Sequence, residues 1–287
     1  MLFHRPPVPR NKVVRKACLL AVSWAFMAVW LESFGAARGQ DAGRIELVPH
    51  RAVYVMELGR ARSGGNVAGA KGVMVMEWAK SCAGWTVKQR LKLDLVDNEG
   101  TTMATEANFS SFEALDGLSY RVTARNTRNG RVTEDIQGSA SLKRKAGTGT
   151  ADFTQPKGVR FDLPRGTVFP TEHVRDLIGE ARRGKRTVYR VVFDGATLDG
   201  PLEVNAVIGS PMPAGTDRWA KDPLTNRPSW HMRLAFFPLK ESKAEPDYEL
   251  GLRLFDNGVA DDFELDYGAF AVNARLERIE PLEVPRC

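Results

Sequence analysis

Alternation with a period of two, broken by turn residues about every 8 to 14 positions, runs from residue 50 to residue 284 and constrains this chain more than any other feature. Between Trp85 and Val96 the odd positions hold Trp85, Val87, Gln89, Leu91, Leu93 and Leu95, and the even ones Thr86, Lys88, Arg90, Lys92 and Asp94. Successive side chains of a strand point to opposite faces, so this pattern predicts a strand with one face buried. The same reading applies to His50–Leu58, to Ser229–Phe237 and to Asp247–Phe255. Trp230, Met232, Leu234 and Phe236 line up in the second of these, and Tyr248, Leu250, Leu252 and Leu254 in the third. Asp97–Gly100, Asp116-Gly117, Asn129-Gly130 and Asp256–Gly258 supply turns, since Asn and Gly accept positive φ. Gly59–Gly72, rich in Gly, Ala and Ser, reads as a long hairpin loop, and Gly209–Arg227 as a second loop.

Within Leu163–Gly195 the period changes. Val174, Leu177, Ile178 and Ala181 recur at i, i+3, i+4 and i+7, which predicts one helix at about residues 171–183. Thr171 is placed to cap it through its hydroxyl, after Phe169-Pro170. Glu172 in the first turn and Arg182 and Arg183 in the last suit the helix dipole, and Gly184 ends it. No interval has the composition of a linker, so residues 38–287 are expected to form a single, mainly all-β domain. A dozen or more strands at this spacing predict a many-stranded antiparallel sheet, closed or spiralled as a broken barrel. A single helix cannot cover such a sheet and is expected to plug its mouth or hollow. Val174, Leu177, Ile178, Ala181, Trp230, Met232, Leu234 and Phe236 are the candidate interior or ligand-facing side chains. In a curled sheet, core and pocket share one concave surface.

The N-terminus reads as an export signal. Arg5, Arg10, Lys12, Arg15 and Lys16 precede an uncharged, mostly apolar run, Ala17–Leu31, and then the small residues Gly35, Ala36, Ala37 and Gly39. Fifteen residues is short of the roughly 20 that span a bilayer, so residues 1–37 are expected to be a cleaved signal peptide, with a retained anchor as the alternative. No stable transmembrane span is expected after cleavage. Of 41 basic and 35 acidic residues, five and one lie in this segment, leaving 36 and 34. The balance gives no basic face for nucleic acid. The local runs Lys143–Lys145 and Arg182–Arg186 read as solvated turn charges. Cys18 leaves with the signal, so Cys82 and Cys287 remain as an even pair. In an exported chain such a pair suggests a disulfide, with unpaired or intermolecular thiols as the alternative.

Chemistry-bearing patterns are scarce. His50, His173 and His231 lie far apart, and neither a zinc spacing nor a G-x-S-x-G elbow occurs, so no metal, cofactor or catalytic residue is assigned. His173 reads as a structural histidine rather than a general base. The carboxylates Asp261, Asp262, Glu264 and Asp266 read as a solvated face.

Five stretches taken in order carry a resemblance: His50–Gly59, Ser81–Leu91, Leu163–Lys185, Val192–Gly195 and Tyr248–Phe270. Through them the chain resembles the EipB family of alphaproteobacterial periplasmic cell-envelope integrity proteins. The resemblance implies a β-spiral with an inset helix, a disulfide between an early cysteine and one near the C-terminus, matching Cys82 and Cys287, and a periplasmic role in envelope integrity without catalysis. Periplasmic envelope proteins are the expected partners. The alternative expectation is a carrier holding a lipid or acyl chain in the concave interior, since the barrel is similar to lipoprotein carriers of the LolA and LolB kind.

Overall fold

The computed structural model describes residues 45–62, 65–215, 220–239 and 244–287. The segment read as a signal peptide lies outside them. Fifteen strands form one sheet: β1 (His50–Ala61), β2 (Val67–Lys80), β3 (Gly84–Asp97), β4 (Thr102–Ala114), β5 (Ser119–Arg128), β6 (Arg131–Leu142), β7 (Gly149–Gln155), β8 (Arg160–Leu163), β9 (Thr167–Val168), β10 (Thr187–Val192), β11 (Leu202–Met212), β12 (Ser229–Pro238), β13 (Tyr248–Phe255), β14 (Ala260–Asp266) and β15 (Phe270–Pro281). The order across the sheet is β8-β7-β6-β5-β4-β3-β2-β1-β15-β14-β13-β12-β11-β10-β9. All pairs are antiparallel except β9 with β10.

This order forces the sheet to curl. Its two edge strands, β8 and β9, are consecutive in the chain and separated only by Pro164, Arg165 and Gly166. That link spans at most about 14 Å. A flat sheet of this strand number would hold its edges about 67 Å apart. The chain therefore bends into a nearly closed barrel with a seam between β8 and β9. Aromatic packing closes the seam: Phe169 and Phe193, from the β9–β10 side, join Tyr120, Phe153 and Phe161 of β5, β7 and β8 in one buried cluster. Tyr120 stacks on Phe169 at 5.0 Å between centroids, and its hydroxyl donates to the Asp194 carbonyl at 2.9 Å. The outward face of β3 carries Lys88, Arg90, Lys92 and Asp94, all exposed, where a membrane-spanning barrel would present an apolar band. No helix among the described residues is long and apolar enough to cross a membrane.

The Gly59–Gly72 loop is a correction. β1 runs to Ala61 and β2 starts at Val67, so most of these small residues are in strands. The reason is close approach: a Cβ on Gly72 would sit 2.3 Å from the Lys92 carbonyl oxygen. Small residues there mark tight strand contact rather than a loop. The proposed Gly209–Arg227 loop likewise loses its first residues to β11, which runs to Met212.

The helix, α1 (Pro170–Arg182), begins and ends one residue earlier than expected. Gly184 ends it with φ +76°, and the amides of Gly184 and Lys185 reach back to the carbonyls of Ala181 and Glu180, both at 3.0 Å. The Thr171 hydroxyl cap is a second correction. Phe169 is the N-cap, no side chain of the cap position bonds the helix, and Pro170 opens it.

Candidate binding surface: the concave interior and its helix

The inward row of β3 starts at Trp85, that of β12 at Trp230, and that of β13 ends at Leu254. All three belong to one cluster with Leu177, Ile178 and Ala181 of the helix. A helix that touches β2–β3 and also β10–β13 must lie inside the curl. It fills the end of the barrel where these residues lie. Leu177, Ile178, Ala181, Trp230, Met232 and Leu234 are buried there as packed core, and Val174 and Phe236 sit half-buried at its margin.

From the margin of this cluster toward the other end the inward rows continue, less deeply buried. Val87, Leu91, Ala107 and Phe109 on β3 and β4 point inward yet are only half-buried. So are Phe236, Tyr248, Leu250, Phe263 and Leu265 on the opposite wall. Phe236 and Tyr248 stack at 4.3 Å across β12 and β13. An apolar concave surface left partly open is what a site for an apolar ligand needs.

Sequence reading missed the residue that seats the helix. Glu113, near the end of β4, faces inward opposite Trp85 and is 2% exposed. Its Oε2 accepts the Thr171 N–H at 2.7 Å and its Oε1 the Glu172 N–H at 3.0 Å. These are free amides of the first helical turn, so a carboxylate from 58 residues away does the work of a local cap. Burial pushes the Glu113 carboxyl up to about 7, while the hydrogen bonds from Thr171 and Glu172 and the nearby Arg175 oppose that. The available signal was parity: Phe109, Ser111 and Glu113 share the inward side of β4.

His173 is buried on the same turn, with no hydrogen-bond partner on its Nε2. Burial, then Arg190, holds it down to about 4, so the ring is neutral in the folded chain. A histidine with a depressed folded-state value contributes stability that is whole above its unfolded value of 6.5 and is lost as pH falls through 4. The shift corresponds to about 3 kcal/mol. His173→Gln is expected to lose less stability than wild type between pH 7 and pH 4.5 in urea titrations. Parallel losses would remove His173 from the acid response.

Cys82, in the β2–β3 turn, is joined to Cys287 by a disulfide. The C-terminal tail reaches it after the Leu282 amide bonds to the Pro49 carbonyl at 2.9 Å. Among the described residues no three His, Cys, Asp or Glu side chains gather as a metal site.

A family model described as EipB-like matches residues 41–283. The chain belongs to the EipB-like family. It is 29% identical over 269 residues to the cell envelope integrity protein EipB of Brucella abortus (strain 2308), covering 91% of this chain and 92% of that one. A solved structure, a β-barrel-like protein of a domain of unknown function from Brucella abortus, superposes with a TM-score of 0.76 at 27% identity, covering 84% of this chain and 100% of that one. The curled sheet thus agrees with that β-barrel-like structure, and the sequence stretches that carried the resemblance lie within the matched region.

Proposed function

We propose that this EipB-like chain supports cell-envelope integrity from the periplasm by binding an envelope component non-covalently, without catalysing a reaction. The relative from Brucella abortus bears the name of a cell envelope integrity protein, which supports the role. The Cys82–Cys287 bridge, exposed at both cysteines, suits an oxidising compartment. The observation that carries the binding reading is the inward apolar surface that the helix leaves half-buried. Deleting the gene is expected to raise sensitivity to detergent and to cell-wall antibiotics. Unchanged sensitivity to both overturns the envelope role.

One observation favours a narrower second reading. Leu91, Phe109, Leu250 and Phe263 present hydrocarbon from facing walls, which suits an acyl chain rather than a polar ligand. Native mass spectrometry of the protein purified from its own envelope is expected to show an acyl-chain adduct. Leu91→Asp with Phe109→Asp should lose it while the protein stays folded, because these side chains are partly exposed at the rim of the packed clusters. Adduct-free spectra in repeated preparations overturn the carrier reading and leave the envelope role standing.

A further inference from the structure

The seam leaves part of a strand edge open. β10 pairs with β11 along its whole length, but β9 covers only Val191 and Val192 on its other side. The Ile208 amide bonds to the Arg186 carbonyl at 2.8 Å, so the even-numbered residues of β10 direct their backbone groups to β11. The Phe193 amide bonds to Val168 at 3.1 Å, so the odd-numbered ones face the seam. Thr187 and Tyr189 therefore point backbone N–H and C=O groups toward the seam, where the described residues place no neighbouring strand. The Tyr189 carbonyl is met by the guanidinium of Arg190, at 2.8 Å from Nη1, a side chain standing in for a strand. Exposed edges are ordinarily blunted by charged side chains or by proline. This one has Arg190 toward its covered end, but Thr187, Val188 and Tyr189 before it form a β-prone run with neither.

Beside the edge lies a cleft of about 510 Å³, bounded by Lys145, Arg165, Thr167, Asp176, Tyr189 and Arg190 among others. Its carboxylates are already paired: Glu172 with Lys145 at 3.5 Å and Arg175 at 3.4 Å, and Asp176 with Arg190 at 2.6 Å. Lys143, Arg144 and Arg165 have no carboxylate partner among the described residues. Of the turn run Lys143–Lys145, Lys145 lines the cleft beside Arg165 and Arg190, Lys143 and Arg144 precede it in the chain, and Arg182–Arg186 leads directly into the open strand.

We propose that this seam is a docking site for an extended, acidic peptide segment of a partner protein, which adds as a strand to the Thr187–Arg190 edge of β10. The edge demands an extended backbone as occupant, because only that supplies donors and acceptors at strand spacing. Arg165, a lining cation with no carboxylate partner among the described residues, and Lys143 and Arg144 in the adjoining turn select acidic side chains around it. The site is independent of whatever occupies the barrel interior, so failure of either leaves the other intact.

The probe is a fluorescein-labelled octapeptide alternating valine and aspartate, titrated with the disulfide-bonded protein and read by fluorescence anisotropy. Saturable binding is expected, at least tenfold weaker at 0.5 M than at 0.05 M salt. N-methylation of alternate peptide residues should weaken it at least tenfold, with no change to the protein. Thr187→Pro should do the same, since the amide it removes faces the seam and not β11. Lys145→Glu with Arg165→Glu should reduce binding by a similar factor. No anisotropy change up to millimolar peptide overturns the proposal, and so does binding indifferent to N-methylation, which would be charge attraction alone. A dimer in sedimentation that Thr187→Pro dissociates would also overturn it, by making a second copy the occupant.

Discussion

Cys82→Ser is expected to lower the unfolding free energy by up to about 5 kcal/mol, with the midpoint of urea unfolding falling accordingly. The two cysteines are 205 residues apart. The closed loop contains every strand except β1 and β2, so in the unfolded chain the bridge removes the freedom of nearly the whole sheet. The same loss should follow reduction of the wild type, because both cysteines are exposed and a reductant reaches them without prior unfolding. A loss under about 1 kcal/mol in both experiments would sink this account of the bridge. A Cys82→Ser protein that is destabilised but folded also separates two roles. If it still restores envelope resistance in a deletion strain, the bridge serves stability alone; if it does not, the bridge takes part in function.

The second large effect is expected at Glu113. Glu113→Ala leaves the buried amide of Thr171 and the partly buried amide of Glu172 without their acceptor, at a cost of about 3 kcal/mol. Its consequence should be local, a loosened first turn of α1, visible as faster amide exchange at Thr171 to Val174 than in β1 or β15. Glu113→Gln isolates the charge. The carboxyl has an ordinary value of 4.5 and is pushed up to about 7 when folded, so between these values the folded chain holds the extra proton. Stability must then fall as pH rises from 4.5 through 7, the reverse of the His173 contribution over nearly the same range. Glutamine removes the Glu113 titration and leaves that of His173, so the variant should gain on wild type as pH rises. Stability curves for the two proteins that stay parallel from pH 5 to pH 8 would show that Glu113 does not titrate in this window.

Much of the architecture was legible because strands and helices carry their period in short stretches. The alternation in Trp85–Val96 locates β3, and the spacing of Val174, Leu177, Ile178 and Ala181 locates α1 to within one residue at each end. Legibility failed where a residue answers to a distant neighbour. Gly72 looked like loop material until the Lys92 carbonyl was placed against it. Thr171 looked like the helix cap, because nothing local revealed that the helix would start one residue earlier and that Glu113 would reach its first amides. The concave surface was half legible: parity identified the inward side chains, but parity is the same for a packed wall and an open one. Leu234 and Phe236 differ by two residues in one strand, yet one is sealed beneath the helix and the other stands at its margin.

What the sequence determined by itself was therefore the mainly-β class, most of the strand positions, the one helix and the pair of cysteines available for a bridge. These follow from local periodicity and composition. Only the tertiary structure decided that the two edges meet at a seam, that Glu113 holds the helix, that the helix fills one end of the barrel and leaves the other half-open, and that Lys145 and Arg165 meet beside an unpaired strand edge. Each of these depends on which distant segments the curl of the sheet brings together, and that is set by the closure of all fifteen strands rather than by any stretch of the chain.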